Sequence, residues 1–157
     1  MEAVTITIEY DILRNNKDIC IMIDRYMDAR TEKFGLTSAQ GSILIYVIKE
    51  KNGTDTSDLN KMFGISKSTV SSILKKLSMK GFITLEAHQN DNRRKTVFPT
   101  QKAMRVKNGL EREFDLMQKE LFHEFSEEEL NCLQRLQCIV LDKAKKGFDN
   151  YKETEEM

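Results

Sequence analysis

One segment of the sequence, residues 64–77, constrains the fold more than any other because it has two unlike faces at a helical period. Its apolar residues recur at i, i+3, i+4 and i+7, the spacing of a buried helical stripe: Val70, Ile73, Leu74 and Leu77. Ser66 stands where its hydroxyl can accept a free backbone N–H at the start of a helix. The segment is therefore predicted to be an amphipathic helix that begins after Ser66.

The opposite face of this helix carries short hydroxyls and a lysine, with no acidic residue among them: Ser68, Ser71, Ser72 and Lys75. Lysines attract phosphates, and small hydroxyls let a helix approach base edges closely while hydrogen-bonding to them. The face therefore suits a helix that enters the major groove of DNA. An ordinary surface helix rich in serine and lysine is the alternative, and the neighbouring sequence has to decide between the two.

The sequence on either side of this helix favours a DNA-binding module. A short helix is predicted from about Ser57 to Phe63 with Thr56 as its cap, and Gly64 then allows a tight bend, as in a helix-turn-helix. After Gly81 the period changes to 2, which predicts strands over 82–87 and 96–98, with a polar loop over 88–95 between them. Such a hairpin would form a wing.

The predicted wing loop ends in three cations, Arg93, Arg94 and Lys95. Arginine at a wing tip can reach the minor groove, whose negative potential favours a guanidinium group. A solvated hairpin tip is the alternative, but the basic helix beside it favours a second contact with DNA.

Four further helices are predicted around these elements. The first spans residues 8 to about 33. The second opens with a capping box, Thr37 to Gln40, and runs to about Glu50. Thr100 can cap a fifth helix to about Phe122, Ser126 opens a sixth that runs to about Phe148, and the tail over 152–157 is expected to fray. The first, fifth and sixth helices carry apolar stripes that the winged module does not need for its own core.

Charge is distributed unevenly along the 157 residues, although the formal net charge is zero. Residues 60–105 contain ten Lys or Arg against two acids, Glu86 and Asp91, whereas residues 106–157 contain eight against thirteen. A basic middle within a neutral to acidic frame is typical of a module that binds a polyanion.

Cellular location is inferred from what the sequence lacks. Its three cysteines show no paired spacing, the N-terminus has no signal-peptide pattern, and no apolar run approaches the roughly 20 residues that span a bilayer. We therefore expect a reduced, cytoplasmic protein.

Taken together, the motifs from Leu36 to Lys102 resemble those of the MarR family of winged helix-turn-helix transcription regulators. The matching pieces are Leu36-Thr37-x-x-Gln40, Thr56-x-x-Leu59, Gly64-Ile65-Ser66-Lys67-Ser68-Thr69-Val70-Ser71, Leu77-x-x-Lys80-Gly81-Phe82-Ile83, Asp91-Asn92-Arg93 at the family's D-x-R wing motif, and Thr100. The sequence departs from the family pattern at Pro99, where Leu is usual, and at Ala103, where Gly is common.

The resemblance implies a mainly α fold with a small antiparallel β hairpin. In that fold residues 1–35 form an N-terminal dimerisation helix, 36–100 the winged helix-turn-helix DNA-binding domain, and 101–157 the C-terminal dimerisation helices. It also implies a homodimer on a pseudo-palindromic operator, with two recognition helices about one DNA turn, roughly 34 Å, apart. The unexplained apolar stripes of the flanking helices agree with a dimer.

We therefore predict a dimeric, sequence-specific DNA-binding transcription regulator, a repressor, that binds double-stranded DNA and needs no cofactor. The predicted DNA-binding residues are Ser66, Lys67, Ser68, Thr69, Ser71, Ser72, Lys75, Lys76, Asn92, Arg93, Arg94 and Lys95. Arg93 is expected to enter the minor groove, and Lys67 and Lys76 are expected to lie near phosphates.

Release from DNA is expected to follow a small-molecule or oxidant signal. The resemblance implies a crevice for a small aromatic effector, for which Tyr26, Arg30 and Tyr46 offer aromatic rings and a cation. It also suggests Cys20, in the first helix, as a redox-sensing thiol, although packing in the interior is the commoner role of a cysteine.

Two other classes of function fit the sequence less well. A winged-helix module for protein–protein assembly keeps the fold but would need an apolar or acidic outer face on the 66–77 helix. An enzyme is disfavoured because His88 and His123 have no nucleophile at a recognisable spacing, and no metal-binding spacing of His or Cys is present.

Overall fold

A computed structural model describes residues 7–50, 52–88 and 91–155, with side chains excepted at 87, 88, 91–94, 153 and 155. The elements in chain order are α1 (Ile8–Thr31), a 3-10 turn (Glu32–Phe34), α2 (Ser38–Lys49), β1 (Thr54–Asp55), α3 (Thr56–Phe63), α4 (Lys67–Met79), β2 (Ile83–His88), β3 (Asp91–Pro99), α5 (Gln101–Phe122) and α6 (Glu127–Glu155). The chain divides into two units between residues 117 and 118. The mainly α fold with a small antiparallel sheet is confirmed.

The core of the first unit lies where α2, α3, α4, the sheet and α5 meet. Its fully buried side chains include one or more from each of these elements: Leu44, Val47, Leu59, Leu77, Val97 and Leu110. The predicted apolar stripe of α4 is largely confirmed, because Val70, Leu74 and Leu77 are buried, whereas Ile73 is only partly buried. Burial of this stripe fixes which face of α4 remains outside.

The sheet has three antiparallel strands in the order β1-β3-β2, and it extends further than the sequence predicts. Thr54 of β1 pairs with Val97, and Leu85 of β2 pairs with the same residue from the other side. The polar loop predicted over 88–95 is wrong at both ends, since His88 belongs to β2 and residues 91–95 belong to β3. Within this stretch Lys95 pairs with Ala87 and Asp91 pairs with His88. The sequence of the stretch has no alternating apolar pattern, so the sequence alone does not predict a strand there.

The connection between α1 and α2 is held by side chains of α1. Thr31 is fully buried, and its single hydroxyl hydrogen is shared between the carbonyl oxygens of Met27, 2.8 Å from Oγ1, and Leu36, 2.9 Å from Oγ1. The backbone N–H of Ser38 donates to Asp28 Oδ1 at 2.6 Å. These bonds satisfy polar groups at the end of α1 and the beginning of α2. They therefore hold the turn between the two helices in one conformation.

Most predicted helix starts are confirmed in atomic detail. The capping box of α2 is present, with Thr37 Oγ1 accepting from the N–H of Gln40 at 3.3 Å. Thr100 Oγ1 accepts from the N–H of Ala103 at 3.4 Å, so α5 is capped despite the two departures at this junction. The predicted cap of α3 is one residue off, because the helix begins at Thr56 and Asp55 is the residue before it.

The second unit contains the end of α5 and all of α6. The rings of Phe122 and Phe125 pack edge to face with centroids 6.0 Å apart, and the capping box of Ser126 and Glu129 opens α6 as predicted. The expectation of a frayed tail is wrong for 152–155, which continue the helix to Glu155. No helix in the three described ranges is long and apolar enough to cross a membrane.

Candidate nucleic-acid interface

The turn between α3 and α4 presents the outer face of α4. Gly64 adopts φ of 61°, a left-handed conformation that costs other L-residues free energy, and it ends α3. Asn60 Nδ2 donates to the carbonyl oxygen of Ile65 at 3.2 Å, which holds the turn from the α3 side. One glycine and one side-chain hydrogen bond therefore stabilise the turn of the helix-turn-helix.

Ser66 acts as the cap of α4, as predicted. Its Oγ accepts from the N–H of Thr69 at 3.1 Å and lies 2.8 Å from the hydroxyl oxygens of both Ser68 and Thr69. These three hydroxyls form one exposed cluster at the N-terminus of the helix. Ser71, Ser72 and Lys75 follow along the exposed surface of α4.

A concave surface lies between α4, the start of α3 and the sheet, and the cavity that it borders has a volume of about 820 Å³. Four of the predicted DNA-binding residues line it: Lys67, Ser71, Lys75 and Lys95. Lys67, Ser71 and Lys75 are spaced by four residues and so form one stripe on α4. Ser68, Ser72 and Lys76 form the neighbouring exposed stripe outside this concavity. The structure thus brings Lys67, Ser71 and Lys75 of α4 together with Lys95 of the wing.

The side chains of Asn92, Arg93 and Arg94 lie outside the described part of the structure. Their backbone belongs to β3, which pairs with β2 up to His88 and Asp91. The predicted contacts of these three residues with DNA stay predictions.

The concave surface also contains residues that the sequence reading missed. Ser57 and Asn60 of α3, Ser78 and Met79 of α4, and Asp55 all line it. Ser78 continues the stripe of Ser71 at i+7, and that spacing could have identified it. Asp55 accepts a hydrogen bond from Thr96 Oγ1 at 3.0 Å, so its carboxylate is held by the neighbouring strand.

Not every cation of the basic segment points toward this surface. Lys80 Nζ donates to the carbonyl oxygen of Gly35 at 2.7 Å and to Gln40 Oε1 at 2.8 Å. Lys102 Nζ donates to the carbonyl oxygen of Lys80 at 2.7 Å. Both ammonium groups bind carbonyl oxygens of the protein's own backbone. The number of cations in the basic segment is therefore larger than the number that face the concave surface.

The residues predicted for an effector crevice are only partly brought together. Arg30 Nη2 donates to Tyr26 Oη at 2.7 Å, and the guanidinium carbon lies 4.7 Å from the centre of the Tyr26 ring. Tyr46 instead packs edge to face on Phe63, with ring centroids 5.8 Å apart.

Glu113 of α5 lies beside the two cations of this region, Arg30 and Lys33, and no sequence pattern identifies it. Its carboxylate accepts from Arg30 Nη1 at 2.9 Å and from Lys33 Nζ. The hydrogen bond from Lys33, followed by that from Arg30, lowers the pKa of Glu113 below its ordinary value, and burial opposes this change. The site therefore already contains a carboxylate of the protein.

The cysteine side chains are not packed in the interior, which is the commoner role of a cysteine. Cys20, Cys132 and Cys138 are all exposed in the single chain. Among the residues that the structure describes, no group of three or more His, Cys, Asp or Glu side chains could hold a metal ion.

Comparison with known proteins agrees with this architecture. The model of the MarR family matches residues 34–94, which contain α2, α3, α4 and β2 and enter β3. YybA, an uncharacterized HTH-type transcriptional regulator of Bacillus subtilis strain 168, is 28% identical over 126 residues, covering 80% of this chain and 83% of that protein.

Solved structures extend the similarity to nearly the whole chain. A complex of S. aureus MepR with DNA superposes with a TM-score of 0.77 at 25% identity, covering 88% of this chain and 99% of that one. A putative MarR family regulator from Listeria monocytogenes, complexed with 26mer DNA, gives 0.74 at 23% identity, covering 83% and 87%. The sequence motifs, the match of the family model to residues 34–94 and the fold all make the chain similar to the MarR family.

Proposed function

We propose that this protein is a homodimeric, sequence-specific DNA-binding transcription regulator that acts as a repressor. The observation that carries the proposal is the exposed face of α4, where Lys67, Ser71 and Lys75 line a concave surface together with Lys95 of the wing. Cations placed beside short hydroxyls supply phosphate contacts and close hydrogen bonds to base edges. The solved complexes of two similar proteins with DNA support this use of the fold.

Exposed apolar side chains on α1 and α6 support the dimer. On α1, Ile8 is 73% and Leu13 60% exposed, and on α6, Leu141 is 55% and Phe148 58% exposed. Large apolar side chains repeated along a helix mark surfaces that bind another surface in solution. A two-fold dimer presents two copies of α4, which fits a pseudo-palindromic operator with half-sites about one DNA turn apart.

Regulation by a small aromatic effector is part of the proposal, with one amendment. Arg30 already binds Glu113 at 2.9 Å, so an anionic effector has to compete with this carboxylate for the guanidinium group. Oxidation of Cys20 remains a second route of release, supported by the exposure of its thiol.

The test is a titration of the purified protein onto its own upstream DNA and a scrambled duplex at two salt concentrations, with the oligomeric state measured by light scattering. We expect a dimer that binds the upstream DNA more tightly, with affinity falling steeply as salt rises. Equal binding to both duplexes would require selection of bound fragments across the genome, and failure to enrich any sequence would contradict sequence-specific regulation. Absence of binding to either duplex at low salt would favour the protein–protein module.

A further inference from the structure

Lys80, at the C-terminal end of α4, links the candidate DNA-contacting helix to a distant part of the chain. Its ammonium group donates to the carbonyl oxygen of Gly35 at 2.7 Å and to Gln40 Oε1 at 2.8 Å, both in or next to the start of α2. Gln40 is only 4% exposed, and its Oε1 also accepts from the N–H of Thr37 at 3.4 Å within the capping box. One lysine therefore joins the end of α4 to the beginning of α2.

The backbone that follows α4 is held from a second direction. Lys102 Nζ donates to the carbonyl oxygen of Lys80 at 2.7 Å and lies 4.5 Å from the centre of the Phe82 ring. Thr100 Oγ1 donates to the carbonyl oxygen of Gly81 at 2.7 Å. The position of Lys80 is thus fixed by the start of α5, so its side chain can transmit a displacement of the α2 start to α4.

The start of α2 is in turn bound to α1. The N–H of Ser38 donates to Asp28 Oδ1 at 2.6 Å, and Ser38 Oγ donates to Asp24 Oδ1 at 3.2 Å. A continuous series of polar contacts therefore runs from α1, through the first turn of α2, to the end of α4. Hydrogen-bond networks between packed elements are one physical route by which energetic coupling travels, and a variant that breaks the network measures that coupling.

We propose that Lys80 is a positioning residue of the DNA interface, which orients α4 through the α1–α2 connection without contacting DNA. The proposal rests on the DNA-binding function proposed above. Base recognition by Ser71 and its neighbours requires a fixed helix orientation, whereas lysines on flexible stems keep their phosphate contacts after a small rotation. Loss of the Lys80 contacts is therefore expected to weaken specific binding more than non-specific binding.

Three variants of the full-length protein separate this role from others. Lys80→Met removes the donors but keeps the aliphatic stem, and Lys80→Arg keeps donors at similar reach. Lys49→Met, at an exposed position near the end of α2, controls for the loss of one positive charge. If Lys80→Met does not fold, as judged by circular dichroism, Lys80→Gln replaces it in every comparison.

Fluorescence anisotropy on a duplex selected by the wild-type protein, and on a scrambled duplex, is measured over a series of salt concentrations. For Lys80→Met we expect about tenfold weaker binding to the selected duplex, which is about 1.4 kcal/mol of binding free energy. Binding to the scrambled duplex and the salt slope are expected to stay as in wild type, and Lys80→Arg is expected to restore most of the affinity.

Amide hydrogen exchange of the free protein tests the same link without DNA. Lys80→Met is expected to speed exchange at the backbone amides of residues 38–41, while Lys49→Met leaves them unchanged. A salt slope lowered by about one on both duplexes would assign Lys80 to a phosphate contact instead. Unchanged affinity for the selected duplex would overturn the positioning role alone, whereas a wild-type protein that selects no duplex would overturn the proposed function.

Discussion

Arg30 of α1 and Glu113 of α5 form an ion pair, with 2.9 Å between Nη1 and Oε2, across 83 positions of sequence. Lys33 donates to the other carboxylate oxygen, so a single acid of α5 binds two cations from the end of α1 and the 3-10 turn. Glu113 is only 7% exposed, which makes an unpaired charge at this position unfavourable. The contact between these helices therefore depends on the ionised state of one carboxyl group.

The first prediction concerns pH. Because its partners lower the folded-state pKa of Glu113 below the ordinary 4.5, its contribution to stability is complete above that value and is lost as pH falls through the lower folded pKa. We expect Glu113→Gln to unfold at lower urea concentration than wild type at pH 7. The difference between the two proteins should shrink as the pH is lowered below 4.5.

Asp115→Asn, at an exposed position on the same helix, is the matched control for that measurement. It removes a carboxylate without touching Arg30 or Lys33. A difference between wild type and Glu113→Gln that stays constant from pH 7 to pH 3 would show that the pair does not stabilise the fold through its charge.

The second prediction concerns the concave surface beside α4. Lys75→Met should weaken binding to all duplexes alike and lower the salt slope by about one, because one fewer counterion is released from DNA. Lys49→Met should leave the slope as it is. A wild-type slope in the Lys75 variant would place this lysine away from the phosphates, and the interface would then have to lie elsewhere on α4.

The third prediction concerns the wing. Arg93→Ala is expected to reduce affinity and to lower the salt slope, since the lost guanidinium group is predicted to lie in the minor groove. The affinity loss should be greater for duplexes with an A·T-rich step at the wing position, where the groove is narrow. Titration of matched A·T-rich and G·C-rich duplexes measures this, and equal losses on both would argue against minor-groove insertion.

Local signals explain which parts of the fold could be predicted from the sequence. The starts of α2, α4 and α6 were correct because Thr37, Ser66 and Ser126 bond to groups within three residues, so the cap and its partner lie in one window. The period of the apolar residues in α4 likewise identified most of its buried face.

Long-range contacts explain what the sequence did not reveal. Strand β1 is two residues long and exists because Thr54 pairs with Val97, which no local pattern indicates. Lys80 belongs to the basic segment by sequence, although its hydrogen-bond partners lie 45 and 40 residues away. The residue types of Tyr46 and Arg30 predict one shared crevice, whereas packing places the Tyr46 ring against Phe63. These relations depend on how the elements pack, so they follow from the fold rather than precede it.

The fourth prediction compares two glycines that both have positive φ. At Gly53, φ is 80° and an added Cβ would come within 2.5 Å of the Phe98 ring, whereas at Gly64, φ is 61° and nothing lies within 4 Å. Gly64→Ala should therefore lower the free energy of unfolding only by the cost of a left-handed backbone conformation, roughly 1 to 2 kcal/mol. Gly53→Ala should lower the free energy of unfolding by the same conformational cost plus the cost of overpacking, about 2 to 5 kcal/mol together. Equal midpoints in urea for the two variants would show that the Phe98 ring and Thr96 Cγ2, which would lie 2.6 Å from the added Cβ, both move aside freely.

The last prediction concerns Ser66, whose hydroxyl both caps α4 and binds two neighbouring hydroxyls. Ser66→Ala should cost about 1 kcal/mol of unfolding free energy, the usual loss when a helix cap is removed. Ser66→Asp restores a cap acceptor and favours the helix dipole, so it should recover stability, yet its negative charge beside DNA should weaken binding. Urea denaturation and DNA titration of the same two variants therefore separate the capping role from the interface. If Ser66→Asp bound DNA as tightly as wild type, the N-terminus of α4 would have to point away from the phosphates, contrary to the proposed orientation of this helix.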